Sequence, residues 1–468
     1  MSGKLPKIEK IFLIVTLFFG FLFLFVNPPF QSPDEPEHFF KMYGYTKGTF
    51  IYRIKDGKTG LVMPESFVKM AKLFKYLEHN FFATTSPEIM KNAVNLKLEK
   101  DKTTFHSFCF PTYLPVSYFP LFLLLKLLLV FNLSPFVILI IMRISELFLY
   151  TGLMWLAIRI TPVKKTLFAF LAMLPMAIYM GSSVNTDALV MGTGFIICAY
   201  FFKLAYDENI TEISKKHLFI ISFLSFLITI CKPAYVPLFL LFFIIPKSKF
   251  SSEVQRWKYF FLVFASAVGA FLIYFLYSLF LLKCSMATNL PSSPILGAEQ
   301  NSNNIILTII THPVYFLTKV QATLVLQAGY FVKTFVGCFG WLDAQLPVYV
   351  ILFYFCALLI LAVSKDEDEP EVNIPYRDKL IFFAVFYLSF IIMTICSYLV
   401  LRLAEPYILG FQGRYFIPIA PVIFMMPASS KFKTEHGKLL KIVLSFSLTG
   451  LFISVYFLIL RYYFPVYF

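Results

Sequence analysis

Long apolar runs alternate along this chain with short clusters of Lys and Arg. Residues 11–26, 135–158, 188–205, 259–282, 380–400 and 440–460 are apolar on every side, a pattern that suits helices in lipid better than helices on a soluble core. Shorter stretches at 166–180, 348–363 and 416–426 read as further spans. Residues 218–246 are too long for one ordinary span and are interrupted by Cys231-Lys232-Pro233-Ala234. They read as two short helices meeting at an outward-facing elbow below the membrane surface.

Residues 111–131, PTYLPVSYFPLFLLLKLLLVF, decide the orientation of everything after them. As a span they would carry Arg159, Lys164, Lys165, Lys203, Lys215 and Lys216 to the outer side, against the bias of Lys and Arg toward the cytoplasm. Pro111, Pro115 and Pro120 favour a juxtamembrane or re-entrant segment instead. The expected architecture is an all-α polytopic membrane protein of about 11 spans, a single integral membrane domain over residues 1–468 without repeat or soluble domain. Its large outer segments would be 27–134, 283–347 and 401–415. In the first, residues 64–79 set Phe67, Met70, Ala71, Phe74 and Leu77 opposite Lys69, Lys72 and Lys75, the pattern of an amphipathic helix on the membrane surface or of a small packed lid.

Composition agrees: 59% of residues are hydrophobic and 14% charged, against roughly 25% charged in soluble domains. The net charge of +15 is dispersed between apolar runs and forms no basic stripe, which excludes a nucleic-acid partner and points to membrane lipids. Seven cysteines show no CxxC pair or metal-ligand spacing, and a Cys284 to Cys338 bridge stays open. Lys4, Lys7 and Lys10 before the first run resemble a signal peptide, but Val26-Asn27-Pro28-Pro29 offers no small-residue cleavage site, so a retained anchor is expected.

The candidate chemistry begins at residues 27–39, NPPFQSPDEPEHF, where Asp34 and Glu35 stand among four prolines that deny the backbone helix ladders. Asp34, Glu35, His38, Asp187, Lys232, Asp343, Arg402, Glu405 and Arg414 all fall at apolar boundaries on one face. A charge there costs a few kcal/mol, about 2.5–3.5 on lenient scales, unless it faces a wet cavity or a partner. Asp34, Glu35 and Asp187 can form an acidic centre, with Lys232 and Arg414 as its cations. A carboxylate could take a proton from an acceptor hydroxyl while the cations neutralise a departing phosphate. Plainer readings stand beside these. Arg414 could be an interfacial cap, Lys232 could snorkel or bond carbonyls freed by Pro233, and Asp187 could cap the helix it precedes. Arg143 and Glu146, at i and i+3, suit a structural pair. Asp343 suits a turn, and His38 alone defines no metal site.

NPPFQSPDEPEHF, PTYLPVSYFP, Arg143-Ile144-Ser145, SSVNTDAL, KPAYVPL, GCFGWLDAQLP and GFQGRYFIPIAP, in this order over nearly the whole chain, resemble a family of predicted bacterial multi-spanning membrane proteins of unassigned function. That family in turn resembles the GT-C glycosyltransferase superfamily of protein mannosyltransferases, oligosaccharyltransferases and aminoarabinose transferases. The resemblance implies a GT-C-like helix bundle, a catalytic acid in the first outer loop, matched by Asp34 with Glu35, and a second outer acid, matched by Asp187. It also implies a polyprenyl-phosphate-linked sugar as donor and an acceptor on the outer face of the cytoplasmic membrane. Oligosaccharyltransferases carry two acids in the second loop where this chain has Asp187 alone, which leaves a divalent metal on Asp34 and Asp187 open; no cofactor is otherwise implied. The absence of a large soluble carboxy-terminal domain favours a cell-envelope glycan or lipid acceptor.

The expectation is therefore an inverting glycosyltransferase. Asp34 would be its base, Glu35 would orient Asp34, and Asp187 would complete the acidic centre. His38, Lys232, Arg414, Tyr415 and Gln412 would contact substrate. The rivals are a transporter or flippase for lipid-linked glycans, favoured by the broken helix at Lys232, and an assembly scaffold with a decayed site.

Overall fold

A computed structural model describes residues 7–51, 53–55, 58–108, 113–286, 307, 309–365, 374–401, 407–429, 432–433 and 436–464. The chain enters through α1 (Ile8–Val26), turns through residues 27–34, and continues as α2 (Glu35–Thr46). A three-stranded antiparallel sheet follows, β1 (Arg53–Lys55), β2 (Lys58–Pro64) and β3 (Thr103–Ser107), with β2 central: Arg53 lies opposite Gly60, and Pro64 opposite Thr103. The expectation of an all-α chain is corrected here. Leu61 and Met63 are buried and Val62 between them is exposed, the alternate facing of a strand, but KTGLVMP itself does not alternate apolar and polar residues and so carries no strand signal.

Between β2 and β3 lie α3 (Glu65–Phe74) and α4 (Pro87–Asn95). Phe67, Met70, Phe74 and Leu77 are fully buried, whereas Lys69, Lys72 and Lys75 point outward. The helix thus inserts its apolar stripe into the protein, where α3 meets β2, so the packed lid replaces the membrane-surface helix. Phe39, Phe40, Phe67, Tyr118, Leu125 and Leu139 share a second core beneath this segment, separate from the main one. In residues 111–131 the described part is a 3-10 turn at Pro115–Tyr118 and α5 (Leu121–Leu128), extended by 3-10 backbone at Leu129–Phe131. An apolar helix of Leu121–Phe131 rises only about 16 Å, against roughly 30 Å of hydrocarbon, and is too short to cross it alone.

Apart from two short strand pairs, Cys338–Phe339 with Ala344–Gln345 and Ser364–Lys365 with Phe432–Lys433, the regular elements that follow are helices: α6 (Pro135–Ile160), α7 (Lys165–Ala172), α8 (Pro175–Gly181), α9 (Asp187–Tyr206), α10 (Lys215–Cys231) and α11 (Glu253–Met286). Then come α12 (Pro313–Leu326), α13 (Ala328–Val336), α14 (Val348–Val363), α15 (Tyr376–Leu401), α16 (Ala420–Met425) and α17 (His436–Tyr463). The expected single span at 166–180 is two pieces, because Pro175 supplies no N–H and starts a new helix. Residues 218–246 do break at Lys232, and the second half, Pro233–Ile244, winds as 3-10 helix around Pro237. Among the described residues, α1, α6, α9, α11, α15 and α17 contain six segments long and apolar enough to cross a membrane, and five shorter apolar helices accompany them. Cys338 is a free, buried thiol; the side chain of its suggested partner Cys284 lies outside the described residues, as do Arg402 and Glu405.

Candidate functional site: an acid and cation cluster joining two loops

The prolines at 28, 29 and 33 keep residues 27–34 out of helix, and side-chain bonds fasten this turn to the α8–α9 connection. Asn27 Nδ2 donates to Ser32 Oγ at 2.9 Å, and Ser32 Oγ lies 2.6 Å from Ser183 Oγ. The Tyr179 hydroxyl lies 3.2 Å from both Asn27 Oδ1 and the Gln31 carbonyl. At the end of the turn Asp34 adopts the left-handed conformation, φ 60°, and α2 begins at the next residue. This reversal sends the neighbouring carboxylates in different directions.

Glu35 goes inward. It is fully buried and accepts Arg143 Nε at 2.8 Å, Arg143 Nη2 at 2.6 Å and the Val184 N–H at 3.0 Å. Arg143 spends its remaining donors on the carbonyls of Leu24, Asn27 and Pro28. This corrects the expected Arg143 to Glu146 pair: the guanidinium reaches across to a residue 108 positions away, and the buried Glu146 oxygens have no hydrogen-bond partner. It also separates Glu35 from Asp34, since the Glu35 carboxylate is committed to a fork and a backbone N–H and does not orient its neighbour.

Asp34 goes outward, with its side chain 54% exposed and Oδ2 3.5 Å from Arg414 Nη2. The other guanidinium nitrogen, Arg414 Nη1, lies 3.9 Å from Asp187 Oδ2, and Lys232 Nζ lies 3.7 Å from Asp187 Oδ1. The structure thus brings Asp34, Asp187, Lys232 and Arg414 into one cluster. Asp187 is the first residue of α9 rather than its cap, and its N–H donates to Asn185 Oδ1 at 2.6 Å. Lys232 sits at the elbow between α10 and the 3-10 segment and stands over the Tyr415 ring at 3.9 Å. Tyr235 OH donates to the Tyr415 carbonyl at 2.7 Å. Arg414 is buried, its Nη1 also meets Met180 Sδ at 3.2 Å, and its Nε has no partner. A buried, partly unsatisfied guanidinium is not an interfacial cap.

Two glycines admit the segment that carries Arg414. A Cβ on Gly194 of α9 would stand 2.5 Å from the Pro418 carbonyl, and one on Gly413 would run into the carbonyl of Phe331 in α13. Gln412 lies just before this segment with Oε1 buried and without a partner.

His38 and Glu37 complete the neighbourhood on α2. His38 Nδ1 lies 2.8 Å from Tyr118 OH, and the Tyr113 ring is 5.5 Å away. Burial pushes the His38 pKa down to about 4; Asp34 and Asp187 oppose that shift, while Arg414 and Lys41 add to it. The imidazole is therefore neutral at pH 7 and acts as a hydrogen-bonding group rather than a cation. Glu37 is pushed up to about 7 by burial, with Asp34 and Glu78 adding to the shift and Lys75 opposing it, and its Oε2 has no partner. Sequence reasoning passed over Glu37, although Asp34-x-x-Glu37 has the spacing of a helix N-terminus. Among the described residues no group of three His, Cys, Asp or Glu could hold a metal ion. Arg414 bridges the two carboxylates that would have to serve, so Asp34 and Asp187 do not fit a resident metal.

Asp343 is not merely a turn residue. It lies in the loop of the hairpin pairing Cys338–Phe339 with Ala344–Gln345, and its Oδ2 accepts Arg461 Nε at 2.8 Å and Nη2 at 2.5 Å. This second buried ion pair leaves Asp343 Oδ1 without a hydrogen-bond partner and shares no residue with the Asp34 cluster.

Residues 17–423 match the model of one protein family, described as Predicted membrane protein (DUF2142). No curated protein and no solved structure matches the chain.

Proposed function

The chain belongs to the DUF2142 family of predicted membrane proteins, and from that premise we propose that this multi-pass membrane protein is a glycosyltransferase of the GT-C type. It would move a sugar from a polyprenyl-phosphate donor to a cell-envelope glycan or lipid acceptor on the outer face of the cytoplasmic membrane. The observation that carries this reading is the open cluster in which Arg414 links Asp34 and Asp187 beside Lys232. The shorter apolar helices would complete a GT-C-like bundle together with the six longer segments.

Asp34, the exposed member, takes the proton from the acceptor hydroxyl. The acceptor oxygen then bonds to the anomeric carbon as the bond from that carbon to the phosphate oxygen breaks. The electron pair leaves with the polyprenyl phosphate, whose charge Arg414 and Lys232 neutralise. A single displacement inverts the anomeric centre. Asp187 is a positioning residue that keeps the two cations together, and neutral His38 and Gln412 offer hydrogen bonds to sugar hydroxyls. Glu35 serves the scaffold and has no part in the reaction.

The test is purified protein in detergent with a polyprenyl-phosphate sugar and a glycan acceptor. Release of polyprenyl phosphate is expected, lowered about 10²–10⁴-fold in Asp34→Asn; undiminished release in that variant overturns the assignment of the base. The helix break at Lys232 favours a second reading, a flippase for lipid-linked glycans. Movement of such a lipid between leaflets of reconstituted vesicles, without release of lipid phosphate, would select it.

A further inference from the structure

The loop between the 3-10 turn Lys75–Leu77 and α4 is fixed on several sides, yet turns its largest apolar groups outward. Arg461, in the last turn of α17, donates to the carbonyls of Leu77 at 2.8 Å, Asn80 at 3.0 Å and Ala83 at 2.9 Å. The Thr85 N–H donates to the Tyr462 carbonyl at 2.7 Å, and Tyr76 OH donates to the Thr84 carbonyl at 3.0 Å. At the tip of this braced loop Phe81 is 56% exposed and Phe82 77% exposed, with Tyr76 partly exposed beside them. Burying a phenyl side chain is worth roughly 1.5–3 kcal/mol. A scaffold that holds two of them out holds them toward something.

The place of the loop identifies that occupant. α17 contains one of the segments apolar enough to cross a membrane, Leu440–Tyr463, and the loop hangs from its final residues Arg461 and Tyr462. Phe464, directly after, also presents its ring outward. The phenyl groups of Phe81 and Phe82 therefore continue the exposed apolar end of a spanning helix, at the depth where aromatic rings concentrate in bilayers. We propose that Phe81 and Phe82 insert into the bilayer interface beside the C-terminal end of α17. They anchor the first large segment to the lipid surface by its tip. The anchor also bears on the candidate site, because Gln31 Nε2 donates to the Phe74 carbonyl at 3.1 Å. Through that bond the braced segment is tied to the turn that carries Asp34. None of this depends on which reaction the cluster performs.

The test uses the full chain in nanodiscs made with lipids brominated at upper or at deep acyl carbons. Phe82→Trp and, separately, Phe81→Trp add one indole to the three native tryptophans, and the spectrum of the parent is subtracted. The added emission is expected to be blue-shifted and quenched by bromine at the upper carbons more than at the deep ones. Added emission at the wavelength of water-exposed indole, untouched by bromine, overturns the proposal. Blue-shifted emission that bromine does not quench would assign the tip to a protein surface, a second copy of the chain included, and overturns it equally.

Discussion

Asp34 and Glu35 are adjacent, yet they end in ionic clusters of opposite construction. The Glu35 to Arg143 pair is sealed: both oxygens accept from the guanidinium fork at 2.8 and 2.6 Å, neither side chain is exposed, and three carbonyls take the remaining N–H groups. The Asp34 cluster is loose. Its ion pairs run from 3.5 to 3.9 Å, Asp34 is half exposed, and Arg414 keeps an N–H without a partner. A sealed pair joins α2 to α6 and leaves no donor for a ligand. A loose one holds charges near each other with capacity unused, which is the state expected of groups that meet a substrate.

The comparison breaks most visibly on stability. Removing one partner of a buried pair leaves the other charge stranded and typically costs about 3–5 kcal/mol, so Glu35→Ala should lower the thermal midpoint in detergent severely. Asp34→Asn should shift stability by less than about 1 kcal/mol, because the lost carboxylate is half exposed, the buried Arg414 keeps Asp187, and Asn also tolerates the left-handed backbone that Asp34 adopts. Equal losses in the two variants would erase the distinction. A double-mutant cycle sharpens it: coupling between Glu35→Gln and Arg143→Met should approach the roughly 3 kcal/mol upper range for contacting residues. For Asp34→Asn with Arg414→Met it should stay below about 1 kcal/mol.

A smaller effect separates the cations. Lys232 touches Asp187 and the Tyr415 ring, whereas Arg414 is enclosed. Lys232→Met should therefore fold, and on the proposed reaction it should raise the KM for the polyprenyl-phosphate donor about tenfold, ~1.4 kcal/mol. An unchanged KM would move the phosphate site away from the elbow.

The contrast between Asp34 and Glu35 could not be read from the sequence. The proline-rich turn, the helix break at Lys232 and the buried stripe of α3 were legible because each follows from local chemistry: a missing N–H or a period of 3.6. Which of two adjacent acids faces inward depends on a single left-handed residue and on an arginine 108 positions away. The i, i+3 spacing of Arg143 and Glu146 offered a local partner, and the tertiary one prevailed. The convergence of Asp34, Asp187, Lys232 and Arg414 was legible only as a shared boundary position. The sheet went unseen because its central strand, KTGLVMP, does not alternate apolar and polar residues. The bracing of residues 77–83 by Arg461 had no signal at all, since carbonyl acceptors leave no mark in sequence.

The smallest predicted effect lies in the pH dependence of α2. His38 is held down at about 4 against an ordinary 6.5, so between those values the unfolded chain binds a proton that the folded chain refuses. Its contribution is complete above pH 6.5 and is lost as the pH falls toward 4. Glu37, held up at about 7 against 4.5, works in the other direction: its contribution is complete below pH 4.5 and is lost as the pH rises through 7. Wild-type stability should consequently change little between pH 4.5 and 6.5, because the two slopes oppose. His38→Gln should leave the Glu37 slope exposed, so that the variant gains stability relative to wild type on acidification from pH 6.5 to 5, by on the order of 1 kcal/mol. Glu37→Gln should show the mirror image, losing stability over the same interval. Thermal melts of the three proteins at matched ionic strength measure both slopes. Parallel pH profiles for all three would mean that neither side chain changes its proton affinity on folding, and that α2 rests in a wetter setting than its burial implies.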